Sequence, residues 1–100
     1  MFEITHGKDG ELILSGRLDA AQEGKASAVF DALAGQHVVD LKHLVYISSL
    51  GLGILLRTQK RLKASGGGGL TLINVNPHIL NIFRFAGFDQ VLDIRSSGPG

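Results

Sequence analysis

The chain contains no cysteine. Disulfides, thiol catalysis and cysteine-based metal sites are therefore excluded, and a reducing, cytoplasmic setting is the expectation. No apolar run reaches the ~20 residues a membrane helix needs. The best candidate, residues 47–56, is broken by Gly51 and Gly53. A basic-then-apolar secretory start is lacking too, since Glu3, Lys8, Asp9 and Glu11 interrupt it. Charge of one sign is scarce. A net charge of +1 gives no reason to expect nucleic acid or an acidic membrane as partner. His6, His37, His43 and His78 lack metal-ligand spacing, so no metal site is expected. Gly66 to Gly69 are not followed by the Lys-Ser/Thr of a phosphate-binding loop, and read as a flexible turn. No nucleophile, base and orienting group form a recognisable set. The expectation is a chain that is not an enzyme and needs no cofactor.

What is present is a globular composition, 44% apolar and 19% charged over 100 residues, enough for one core and one domain. The expected domain spans residues 1–95, with a disordered tail over 96–100. Residues 2–5 and 11–15 read as a hairpin around Asp9-Gly10. Asp19 with Gln22 fits a capping box. Ala26, Val29, Phe30 and Leu33 then mark one face of a helix that Gly35 stops. Residues 37–41 form a short apolar strand that runs into a loop. A second helix is expected over 50–64, with Leu52, Leu55, Leu56 and Leu62 inward and Arg57, Lys60 and Arg61 outward. Residues 70–75 form a strand. Asn76 caps a third helix, Pro77 takes its first position, and Gly87 ends it. Residues 91–94 add a last strand or turn. Strands alternating with helices after a hairpin predict an α/β domain with a mixed β-sheet packed by α-helices. The expected core is Val29, Phe30, Leu33, Val39, Leu41, Leu52, Leu55, Leu56, Ile73, Ile79 and Phe83. On the third helix His78, Ile82 and Phe85 recur at i, i+4 and i+7, off the main stripe. They read either as a broadened buried face or as an exposed apolar patch for a partner.

The most informative stretch is residues 40–57. An apolar strand is followed by Ser48-Ser49-Leu50, then Gly51-Leu52-Gly53, then a helical period. Ser49 is thereby expected just ahead of a helix start, where backbone N–H groups are unpaired and the helix dipole favours negative charge. A hydroxyl there can cap the helix, or it can carry a phosphate that the helix end stabilises.

This stretch resembles the STAS domain, shared by bacterial anti-sigma-factor antagonists and the cytoplasmic tails of sulfate transporters. Its usual wording is Asp-Ser-Ser-Gly-Leu-Gly. In that register Ser48 stands at the Asp position, Ser49 on the phosphoacceptor serine and Leu50 on the second serine. Gly16-Arg17-Leu18-Asp19 is similar to the family's Gly-x-Leu-Asp. Asn76-Pro77 through Phe83, with Ala86-Gly87-Phe88, is similar to its C-terminal helix and turn. The resemblance implies a binding module that acts by partner switching. Unphosphorylated, it would bind a kinase-type anti-sigma factor. Phosphorylated on Ser49, with Ser48 as the alternative acceptor, it would be released, and a serine phosphatase would reset it. Asp19, Ser48, Leu50 and Gly51 would belong to the partner surface. Arg57, Lys60 and Arg61 are either a solvated face or a dock for an acidic partner. The competing reading is a transport-associated STAS module, of a sulfate-type transporter or a lipid-transport complex, in which both serines are structural.

Overall fold

The computed structural model describes residues 1–96. Its elements run β1 (Phe2–His6), β2 (Leu12–Leu18), α1 (Glu23–Phe30), β3 (Gln36–Ile47), α2 (Ser49–Ala64), β4 (Gly69–Val75), α3 (Pro77–Phe85) and β5 (Asp93–Ser96). Short 3-10 turns stand before α1 and after α3. The five strands form one sheet in the order β1-β2-β3-β4-β5. β1 and β2 are the antiparallel hairpin, and every later pairing is parallel. The expected mixed α/β sheet is thus present.

This order decides where the helices go. Each parallel step moves to the adjacent strand in the same direction, and such crossovers are right-handed in nearly all cases. All three helices therefore pack on one face. That face is the apolar one: Leu12, Leu14, Val39, Leu41, Leu70 and Leu72 are buried there with Ala26 and Phe30 of α1, Leu55 of α2 and Phe83 of α3. The intervening residues Ile13, Ser15, Val38, Asp40, Thr71 and Ile73 face the other way and are half-buried.

Several local expectations are corrected. Asp19 makes no side-chain cap. It precedes a 3-10 turn in which the Gln22 N–H already donates to the Asp19 carbonyl, at 3.0 Å, so the donor that a capping carboxylate would bind is taken. α1 ends at Phe30, well before Gly35, and the chain turns through Ala32 and Leu33. Gly35, at φ 82°, instead leads into β3 and accepts a hydrogen bond from Gly69 N. β3 is twelve residues long, so the expected loop after residue 41 is strand. Its first part pairs with β4, and its end pairs with β2, Leu18 opposite Ile47. Among the expected core residues, Val29, Leu33, Leu56 and Ile73 are only half-buried. On β4 the buried register is Leu70 and Leu72; Asn74, at φ 56°, breaks the alternation and returns Val75 to the core. The last strand takes in Ser96, the first residue of the expected tail; residues 97–100 lie outside the described residues.

The third helix is as read. Asn76 Oδ1 accepts from Ile79 N at 2.9 Å, Pro77 is the first helical residue, and Gly87 takes a left-handed conformation at φ 75°. Asn76 Nδ2 also donates to the Leu44 carbonyl, at 3.2 Å, which ties α3 to β3.

Candidate functional site

Strands β2 and β3 end side by side, and α2 starts from that edge with one residue between. That residue is Ser48. Its N–H donates to the Leu18 carbonyl at 2.9 Å, and its extended backbone makes it the N-cap of α2. The Ser48 hydroxyl oxygen accepts from Gly51 N at 3.2 Å, and its carbonyl accepts from Leu52 N at 2.9 Å. The cap is therefore Ser48, where the sequence pointed to Ser49. Two adjacent serines both suit a cap; the hydrogen bond that holds the end of β3 to Leu18 selects the first.

Ser49 is the first helical residue and is exposed. Its hydroxyl takes no hydrogen bond among the described residues. Leu50 beside it is 45% exposed. Gly51 faces inward: a Cβ there would stand 2.8 Å from Ile47 Cγ1 and from Leu18 Cγ. The inward glycine clamps the first turn, and the hydroxyl at Ser49 is left outside. The first turn of α2 carries no acidic residue, so its dipole is not offset from within. A free hydroxyl next to unpaired N–H groups is an anion-accepting arrangement.

Asp19 directly follows Leu18 and so lies at the same edge of the sheet. One of its carboxylate oxygens, Oδ1, is closed off from solvent without a hydrogen-bond partner. Arg17 stacks over the Tyr46 ring, 4.4 Å from its centroid, on the neighbouring strand ends. The fold thus brings Asp19, Ser48, Ser49, Leu50 and Gly51 to one edge.

The three basic residues of α2 lie two or more turns on. Arg57 donates to Ser27 Oγ and pairs with Asp31 at 3.2 Å. Arg61 donates to the Phe30 carbonyl at 2.9 Å. Both therefore hold the C-terminal end of α1, where cations are favoured. Lys60 is exposed.

A further surface lies between α2 and α3. Leu52, His78, Asn81, Ile82, Phe85 and Ala86 line an open, mostly apolar groove of about 460 Å³. Of the three residues that stood out by spacing, His78 and Phe85 are exposed, Phe85 at 97%, while Ile82 is half-buried against the core. Leu52, expected in the core, is buried there and lines one side of the groove. Among the described residues no group of three His, Asp or Glu is placed to hold a metal ion, and no helix is long and apolar enough to cross a membrane.

The frame is a single five-stranded mixed sheet packed by three helices, with two serines where its central crossover helix starts. The chain belongs to the STAS domain family: residues 2–94 match the family model described as "Mlab, STAS domain". It is 34% identical, over 89% of its length and 81% of the relative's, to "Putative anti-sigma factor antagonist BtrV" of Bordetella bronchiseptica. In fold it is similar to an anti-sigma-factor antagonist (STAS) domain protein from Planctomyces limnophilus. That match has a TM-score of 0.74 at 22% identity, covering 96% of this chain and 89% of the other. It is similar also to SpoIIAA in its unphosphorylated form, with a TM-score of 0.68 at 20% identity, covering 94% and 87%. SpoIIAA of Bacillus has been solved in its phosphorylated form as well, and that structure matches with a TM-score of 0.59 at 22% identity, covering 94% and 90%.

Proposed function

We propose that this chain is an anti-sigma-factor antagonist that works by partner switching. The observation that carries the reading is the exposed Ser49 at the first position of α2, uncapped and next to Leu50. The unphosphorylated protein binds a cytoplasmic, kinase-type anti-sigma factor through the edge formed by Asp19 and residues 48–51. The kinase then transfers the γ-phosphoryl group of ATP to Ser49 Oγ with ADP as the leaving group, the complex separates, and a serine phosphatase hydrolyses the phosphoserine to restore the binding form. Ser49 is a substrate; the chain itself performs no catalysis. The phosphate adds about −1.5 to −2 charges at a surface that must lose water to bind. The N-terminal amides of α2 accommodate that charge, so the fold survives. An interface of standard size buries roughly 1,200–2,000 Å². Losing about 3 kcal/mol from it weakens binding over a hundredfold.

The relatives' names support the antagonist reading. The second reading, a transport-associated STAS module, has its own support: the matching family model carries the Mlab description, and Ser48 is occupied as a structural cap. Incubation with the cognate kinase-type anti-sigma factor and ATP, followed by mass spectrometry, decides between them. Phosphate on Ser49 is expected. No phosphate at either serine would favour the second reading.

A further inference from the structure

Gly53 is a glycine that the fold itself does not require. It lies in the second turn of α2, helical and exposed. Its φ is not positive, and a Cβ built on it would meet nothing within 4 Å. Gly51, two positions earlier, is the contrast, since Leu18 and Ile47 leave no room for its Cβ. A side chain at position 53 would steady the helix, because glycine is the poorest helix former after proline. What the missing side chain leaves open is Ser49. Cα–Cβ bonds of a helix tilt toward its N-terminus, so a side chain covers the surface one turn before its own Cα. The residues one turn after Ser49 are Leu52 and Gly53. Leu52 is 8% exposed and packs into the core. The side chain that would lean over the Ser49 hydroxyl is therefore the one that Gly53 lacks, and Ser49 stands exposed. Gly24, in the first turn of α1, is equally open, but the residues a turn before it are Ala20 and Ala21, so it uncovers no hydroxyl.

We infer that Gly53 sets the access of phosphoryl-transfer enzymes to Ser49, and that the chain forgoes helix stability at this position to keep that access. The inference rests on the partner-switching reading and adds the residue that makes the acceptor reachable. In the transfer, Ser49 Oγ attacks the γ-phosphorus of ATP, its proton passes to a base of the kinase, and the bond to the ADP oxygen breaks. The attacking and leaving oxygens stand roughly in line. The triphosphate must then sit directly beyond Oγ, close to the helix surface. A side chain leaning back from position 53 fills part of that volume. A phosphatase meets the same demand, because its attacking water must reach the phosphorus opposite Oγ. Gly53 touches no reacting atom and acts only through the space it leaves around Ser49.

Two arms test this on the full chain with Gly53→Ala and Gly53→Gln, side chains of rising length that suit a helix. The first arm needs no partner. The chain has no cysteine, so Ser49→Cys supplies a single thiol at the acceptor position. Its reaction with dithionitrobenzoate is followed over a range of pH, which separates thiolate fraction from access. Adding Gly53→Gln should slow that reaction at least about threefold, and adding Gly53→Ala should slow it less. The second arm measures transfer from ATP to Ser49 by the cognate kinase-type anti-sigma factor. Gly53→Gln should lower kcat/KM at least about tenfold, since small displacements at a reacting centre carry large costs, and Gly53→Ala should fall between. Both variants should melt no lower than wild type by circular dichroism. Reactivity and stability then move in opposite directions, which a merely structural role for Gly53 would not produce. A Gly53→Gln variant unaffected in either arm would overturn the inference, as would a loss of reactivity that tracks a loss of fold. Failure of the partner-switching reading shows instead in the wild type. If wild type takes no phosphate on Ser49 while the thiol series behaves as stated, that reading falls, and the role of Gly53 in transfer falls with it.

Discussion

Replacing Gly51 by alanine should destabilise the protein, and replacing Gly53 by alanine should stabilise it. Both residues lie in α2, two positions apart, and both exchanges add one methyl group. In a helix interior, alanine is better than glycine by about 0.5–1 kcal/mol, because glycine loses more backbone freedom on folding. At Gly53 nothing lies within 4 Å of the new Cβ, so the full gain is available. At Gly51 the Cβ would sit 2.8 Å from Ile47 Cγ1 and 2.8 Å from Leu18 Cγ. Both neighbours are buried, at 3% and 0% exposure, and must move within a packed core. Overpacking of this kind costs about 1–3 kcal/mol, which outweighs the propensity gain. The two variants should therefore differ by about 1–3 kcal/mol, roughly 4–8 °C in midpoint for each kcal/mol in a domain of this size. Urea denaturation of the three proteins side by side measures it. Equal stabilisation by both exchanges would refute the reasoning. It would mean that Leu18 and Ile47 do not clamp the first turn of α2, and that nothing fixes Ser49 outward.

Further outcomes follow from the same contacts. Ser48→Ala should lose about 1 kcal/mol by chemical denaturation, because the Gly51 N–H loses its acceptor. Ser49→Ala should lose distinctly less, since Ser49 caps nothing. Phe30→Ala should cost about 3–5 kcal/mol, as a fully buried aromatic leaves a cavity as well as its transfer energy. A loss under about 1 kcal/mol would place α1 in the wrong phase. Gln59→Leu should cost about 2 kcal/mol. Its amide accepts from Leu70 N at 2.6 Å and donates to the Val91 carbonyl at 3.1 Å, and both groups would be left unpaired. Hydrogen exchange at Leu70 should quicken in that variant.

What the sequence made legible was what short-range chemistry dictates. Asn76, Pro77 and Gly87 each act on their own backbone neighbours, so both ends of α3 could be placed. The hairpin followed from Asp9-Gly10, with Gly10 at φ 83°. Long-range partners were not legible. The end of β3 was hidden because Lys42 and His43 are exposed and interrupt the apolar pattern, while its pairing partner, Gly16 to Leu18, lies well upstream. Leu70-Thr71-Leu72-Ile73 is apolar at three of four positions, so alternation could not say which face is inward; Leu72 won over Ile73. Thr58 and Gln59 are buried in α2 although polar, because Thr58 Oγ1 donates to the Ile54 carbonyl and Gln59 bridges β4 to the chain before β5. At the candidate site the sequence misassigned the cap by one residue, to Ser49 where Ser48 holds it. It left Phe85 undecided, since exposure depends on what packs opposite, and here nothing does.

The central claim is that Ser49 carries the regulation, and one titration tests it most directly. Wild type, Ser49→Ala and Ser49→Asp should be titrated calorimetrically against the cognate kinase-type anti-sigma factor, with circular dichroism to confirm folding. Wild type and Ser49→Ala should bind with similar affinity. Ser49→Asp should fold normally and bind at least about tenfold more weakly, a loss of roughly 1.4 kcal/mol from charge at the desolvated edge. Equal affinity for all three folded proteins would contradict the account.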